Sequence, residues 1–138
     1  MEAYLVAGEP RNVLLLKRTE ARGGFWQPVS GRWEPRDGDL GATVRREVQE
    51  ETGFRPLHHL TDLQWSFAFP GRDGRTWRVH AFAAELRGRA APVLSDEHTA
   101  FQWLPLGQAL TRLAWEDNRE ALRRLAFRLP LGAGRDPR

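Results

Sequence analysis

The sequence predicts a mixed α/β (α+β) fold, a mixed central sheet covered by helices, and three observations predict it. Strand-like apolar runs lie both before and after one helical segment at residues 39–52. A dense turn signal, Pro70-Gly71-Arg72-Asp73-Gly74-Arg75, separates two long strand-like stretches and reads as a hairpin. Near the C-terminus, Ala121, Leu122 and Leu125 recur at helical spacing. The 138 residues read as one domain, 1–130, long enough to bury about two-thirds of the unfolded surface.

Residues 1–7 and 12–17 read as two strands joined at Gly8-Glu9-Pro10-Arg11, and the unbroken run Val13-Leu14-Leu15-Leu16 marks the second as a central strand. Residues 19–24 form a loop, and Phe25-Trp26-Gln27-Pro28-Val29-Ser30-Gly31 a short strand and turn. A helix begins near Asp39 or Leu40, capped by Asp39, and runs to Thr52, with Gly53 placed for a left-handed C-cap. After Pro56, residues 57–69 and 76–86 are the hairpin strands. Residues 88–96 are loop and 100–104 a short strand. Residues 106–113 form a helix opened by Pro105, and 116–127 a second that turns Ala121, Leu122, Leu125 and Phe127 inward. The tail, 131–138, rich in Gly, Pro and Arg, reads as disordered.

Composition narrows the functions. The absence of cysteine excludes a disulfide framework and a thiolate metal site, and permits a reducing compartment. The N-terminal residues lack a basic signal region, and no apolar run approaches the roughly 20 residues of a membrane span. A soluble, cytoplasmic protein is expected, as monomer or homodimer. The net charge of +3 rests on arginine, with Lys17 the only lysine. These arginines are scattered, which argues against nucleic acid as a partner and for small polyphosphates.

The segment Arg46-Glu47-Val48-Gln49-Glu50-Glu51-Thr52-Gly53-Phe54 carries the chemistry. On a helix Glu47, Glu50 and Glu51 project at about 0°, 300° and 40°, within one arc of about 100°. Carboxylates so crowded repel each other, and a hard cation, Mg²⁺ or Mn²⁺, relieves that repulsion. The same residues could make only a solvated face with local pairing to Arg45 and Arg46. Gly31 upstream, the acidic loop and Gly53 favour the metal.

The run from Gly31 to Phe54 resembles the Nudix box: Gly, five residues, Glu, seven residues, Arg-Glu, an aliphatic, any residue, Glu-Glu, any residue, Gly, an apolar residue. Arg46 to Phe54 matches throughout. The N-terminal half departs from the pattern, because Gly38 stands at the motif Glu and Gly31 lies one residue early. Asp37 or Asp39 is the expected substitute, with the extra residue absorbed in Arg36-Asp37-Gly38. The resemblance implies an α/β/α sandwich and metal-assisted cleavage of a diphosphate. It also implies Mg²⁺ (or Mn²⁺) on Glu47, Glu50, Glu51 and the Gly31 carbonyl, with Arg46 orienting a helix carboxylate. Glu97, in the loop before a late strand, or Glu51 would be the general base.

Two further stretches are similar to the bacterial dihydroneopterin triphosphate pyrophosphatases of that family: Phe25 to Gly31, and the downstream series Glu97-His98, Trp103-Leu104, Ala109-Leu110-Thr111, Trp115 and Asn118-Arg119. Their implied substrate is a nucleotide or pterin polyphosphate. Trp26 and Trp115 could stack on a heterocycle, and Gln27 and Asn118 could bond its edge. Equally, Trp26 and Trp103 read as core residues and Asn118 as a helix-surface amide. Lys17 and Arg18, ending the second strand, are candidate phosphate contacts. His98 reads as structural or solvated rather than as a proton shuttle, and His58 and His59 receive no role. Dinucleoside polyphosphates and oxidised or ordinary nucleoside triphosphates are the alternative substrates, and a catalytically silent nucleotide sensor is the alternative of another class.

Overall fold

Strand β1 (Glu2–Ala7) is buried along its whole length and forms the axis of the sheet in the computed structural model, which describes residues 1–55 and 59–128. Its alternation sends Ala3 and Leu5 to one face and Tyr4 and Val6 to the other. Strand β2 (Asn12–Arg18) repeats this with Leu14 and Leu16 against Val13 and Leu15, so its apolar run feeds two cores.

β1 pairs parallel with β6 (Thr76–Glu85), from Glu2 opposite Ala81 to Val6 opposite Glu85. The other pairings are antiparallel: β6 with β5 (His59–Pro70), β2 with β7 (His98–Leu104), and β1 with β2. β1 and β2 pair only at Val6–Val13 and Ala7–Asn12. Beyond that point β3 (Trp26–Gln27) pairs with the end of β2, and β4 (Val29–Ser30) with the start of β1. Residues 26–30 therefore fill the fork between the two strands, delivering Gly31 to the open end of the sheet.

Helix α1 (Leu40–Thr52) covers one face through Val44 and Val48, both fully buried, each stabilising the fold by roughly 1.5–3 kcal/mol. The Asp39 carboxylate accepts from the Ala42 N–H at 2.8 Å and caps it. Gly53, at φ 76°, ends it. The other face is covered by α2 (Leu106–Arg112) and α3 (Glu116–Arg128) through Ala109, Ala121, Leu122 and Leu125. This is the expected mixed sheet between helical layers.

Some details differ from expectation. β7 begins at His98 rather than at residue 100, because its pairing with β2 extends to Arg18. β5 bulges between Asp62 and Ser66, with Gln64 at φ 55°. Phe127, expected inward, is 87% exposed: at 100° per residue it falls on the side of α3 opposite Asn118, Leu122 and Leu125, and Leu125 is the last buried residue of the helix. The expected start of the hairpin strand at 57 and the tail at 131–138 lie outside the described residues.

Candidate active site

The loop from Gly31 to Asp39 is organised by Arg46. Its Nε and Nη2 donate to Asp37 Oδ1 and Oδ2, both at 2.9 Å, its Nη2 also to the Arg32 carbonyl at 2.8 Å, and its Nη1 to Glu47 Oε2 at 3.0 Å. Asp37 closes a 3₁₀ turn (Pro35–Asp37), accepting also from the Glu34 N–H and the Thr43 hydroxyl. The guanidinium, first, and these donors hold the Asp37 carboxyl well below the usual carboxylate range. The turn absorbs the extra loop residue, and Gly38, at φ 81°, lets the chain leave it. Of the two candidate aspartates, Asp37 therefore meets Arg46 while Asp39 caps the helix.

Gly31 abuts the first helix glutamate so closely that a Cβ there would stand 2.1 Å from Glu47 Cδ. Its carbonyl accepts from the Met1 amino group at 2.8 Å. Glu51 is 4% exposed, and its Oε1 has no hydrogen-bond partner. Burial, then the charges of Glu47 and Glu97, push its pKa up to about 9. Glu47 is raised too, by burial first, with Arg46 opposing and Glu50 and Glu97 adding to the shift. Glu97, in the loop before β7, thus shares a field with Glu47 and Glu51. Glu50, tied to Arg46 at 3.5 Å, is largely solvent-facing.

These residues fit a hard divalent cation. The donors are all carboxylate or carbonyl oxygens, one buried oxygen is orphaned, and the mutual repulsion is of the sign that a cation offsets. Among the described residues no three acidic or histidine side chains already meet the spacing of a metal cage. The carboxylates stand near one another without being gathered.

A cleft of about 800 Å³ opens beside this helix, reaching from Gly31 and Ser30 to a floor at Glu2 and Asn118. Arg18 and Gln27 line it: Arg18 Nη1 donates to Gln27 Oε1 at 3.0 Å, and Gln27 Nε2 to Ser30 Oγ at 2.8 Å. Trp115 lies edge-on to the lining residue Phe25, ring centroids 6.1 Å apart. Trp26 and Lys17 are not among the lining residues. Trp26 packs against the α2/α3 core with the Arg112 guanidinium over its ring at 5.5 Å, and Lys17 pairs with Trp26 and Ala100 in the sheet. Trp103 packs against the α1 core. His98 is buried beside Arg18, without a partner at either nitrogen, and burial lowers its pKa.

Sequence reading missed Glu2 and Tyr4. Asn118 Nδ2 donates to Glu2 Oε1 at 2.7 Å, and Tyr4 Oη lies 2.9 Å from Glu2 Oε2. The available signal was an acid in the strand's buried alternation, two residues from Tyr4.

A mixed sheet between helical layers, with a glutamate helix packed on a glycine-led loop, is the frame on which the site is built. The chain belongs to the NUDIX family, whose domain model matches residues 3–125. A protein described as a NUDIX hydrolase from Listeria monocytogenes superposes with TM-score 0.81 at 23% identity, over 93% of this chain and 91% of that one. The C. elegans Ap4A hydrolase follows at 0.78 and 21%, over 93% and 94%. The E. coli dihydroneopterin triphosphate pyrophosphohydrolase superposes at 0.73 and 24%, over 92% and 94%. At these identities the likeness is one of fold. The octanoyltransferase of Myxococcus xanthus is 36% identical over 120 residues, 85% of this chain, but the chain spans only 33% of that protein's length.

Proposed function

We propose that this chain is a metal-dependent pyrophosphohydrolase acting on a triphosphate bearing a planar heterocycle, with dihydroneopterin triphosphate as the favoured substrate. The observation that carries this is one cleft from Gly31 to the polar floor at Asn118, with Glu47, itself outside the lining, packed against Gly31. Such a cleft suits a ligand with phosphates at one end and a hydrogen-bonding ring at the other.

Glu47, Glu50 and Glu51, with the Gly31 carbonyl, would hold Mg²⁺ or Mn²⁺. Bound there, the ion supplies charge neutralisation at phosphate oxygens and a more acidic water. Arg46 orients Glu47 through their 3.0 Å contact while Asp37 fixes the guanidinium. Arg18, on the cleft wall, binds phosphate oxygen, a role its position supports better than that of Lys17. Glu97 takes the proton of the attacking water, while Glu51, whose raised pKa in the metal-free protein a bound cation would lower, serves as a ligand. The water oxygen bonds to phosphorus, the bridging P–O bond breaks, and the electron pair leaves on pyrophosphate. The products are dihydroneopterin monophosphate and pyrophosphate. Gln27 and Asn118 bond the ring, and Trp115 supports Phe25 beside it.

The test is kcat/KM with Mg²⁺ across dihydroneopterin triphosphate, deoxynucleoside triphosphates and diadenosine polyphosphates. A clear preference for the pterin, with pyrophosphate released, supports the proposal, and a preference for another member replaces its substrate.

A further inference from the structure

Glu2 is a buried acid on the floor of the cleft, 3% exposed, in a strand whose other residues are Ala, Tyr, Leu, Val and Ala. A carboxylate placed there loses its hydration, a cost the fold bears only where hydrogen bonds or a charge replace the water. The protein supplies little. Among the described residues its two hydrogen-bond donors are neutral, and the cation whose charge reaches it, the Met1 amino group, donates to the Gly31 carbonyl. One of them is divided: the single Tyr4 hydroxyl proton faces both Glu2 Oε2 at 2.9 Å and the Asn118 carbonyl at 3.1 Å. With about four lone-pair sites on a carboxylate, the group keeps acceptor capacity that no protein donor uses.

Resting on the reading of this cleft as the substrate site, we infer that Glu2 is its specificity residue, accepting two adjacent N–H groups from the 2-amino-4-oxo edge shared by pterin and guanine. Asn118 Nδ2, at 2.7 Å, is then a positioning residue that sets the carboxylate plane. Two parallel N–H···O bonds from such an edge match a carboxylate as a guanidinium does, and supply the donors the floor lacks. The aromatic side chains of Phe67 and Trp77 line the same cleft and offer faces for the ring. Adenine, which presents a ring-nitrogen acceptor beside its amino group, sets that acceptor against the carboxylate. Burial pushes the Glu2 pKa up to about 7, against its two hydrogen bonds and the charge of the Met1 amino group.

Guanine and hypoxanthine differ only in the 2-amino group, so GMP and IMP isolate one of the two donors. Calorimetric titration of the wild-type chain should show GMP binding about tenfold or more tightly than IMP, the scale of one hydrogen bond to a charged acceptor. In Glu2→Gln, an isosteric change that removes the charge and replaces one of the two acceptor oxygens by a donor, the difference should shrink to about threefold or less. Equal affinities in the wild-type chain, binding of neither nucleotide, or a preference that survives Glu2→Gln would overturn the inference. The wild-type comparison stands even if the variant does not fold. A GMP preference without hydrolysis of GTP or dihydroneopterin triphosphate would instead overturn the proposed function and leave the role of Glu2 intact.

Discussion

Asp37 and Arg46 are joined by two parallel hydrogen bonds, each 2.9 Å, across a loop one residue longer than the family pattern. The short side chain of Asp37 reaches the guanidinium because the 3₁₀ turn carries it inward, and the same guanidinium holds the Arg32 carbonyl and Glu47. Loop and helix are thus registered by one arginine.

From this, Asp37→Asn should lower kcat/KM by about 10- to 100-fold and weaken Mg²⁺ activation, as loss of a group orienting metal ligands does. Asp39→Ala should cost about 1 kcal/mol of stability through the lost cap, with kcat/KM held. Kinetics and melting of both variants check this. Equal activity loss in the two would contradict the division of roles.

Gly31→Ala should be severely impaired at the site while folding. The added methyl would stand 2.1 Å from Glu47 Cδ, so that carboxylate must leave its place. A Mg²⁺ titration of activity should show apparent affinity reduced by about tenfold or more. Wild-type affinity would mean that the packing of Glu47 on Gly31 has no part in metal binding.

The metal-free protein should lose stability as pH rises. Glu51 is raised from 4.5 to about 9 and Glu2 to about 7, so the folded state binds more protons than the unfolded state above about pH 4.5. The contributions of these two acids are then full below pH 4.5, that of Glu2 is lost as pH rises through about 7, and that of Glu51 as it rises through about 9. Mg²⁺ should reverse the upper part, raising the melting temperature more at pH 8.5 than at pH 6, and Glu51→Gln should remove that difference. Melting across pH with EDTA or Mg²⁺ reads it directly.

The α1 segment was legible because its determinants are local: Asp39 and Gly53 fix the ends, and Glu47, Glu50 and Glu51 fall on one side by helical period alone. The apolar run of β2 announced a strand buried on both faces for the same reason. What was not legible depends on tertiary direction. Trp26 and Gln27 are neighbours on one short strand, so the pleat sends them to different surroundings, Gln27 to the cleft and Trp26 to the core. Glu2 and Asn118 lie 116 positions apart and meet only when α3 packs across β1. Phe127 is apolar but falls on the side of α3 opposite Leu122 and Leu125, which the helical period already implied.

That placement makes a stability prediction. Leu122→Ala, at a fully buried position, should cost about 2–5 kcal/mol in denaturant unfolding. Phe127→Ala, 87% exposed, should change stability by about 0.5 kcal/mol or less. A large loss at Phe127 would mean that α3 is covered by a surface beyond the fold described.

The central claim, that the Glu47–Glu51 helix and the Asn118 cleft serve one reaction, is tested most directly by pyrophosphate release from dihydroneopterin triphosphate, with Mg²⁺, in wild type, Glu51→Gln and Asn118→Ala. The account predicts steady release by the wild type. It predicts at least about a hundredfold loss of kcat in Glu51→Gln, and in Asn118→Ala a loss of kcat/KM expressed mainly in KM. Release by Glu51→Gln at the wild-type rate, or no release by the wild type from any polyphosphate, would contradict it.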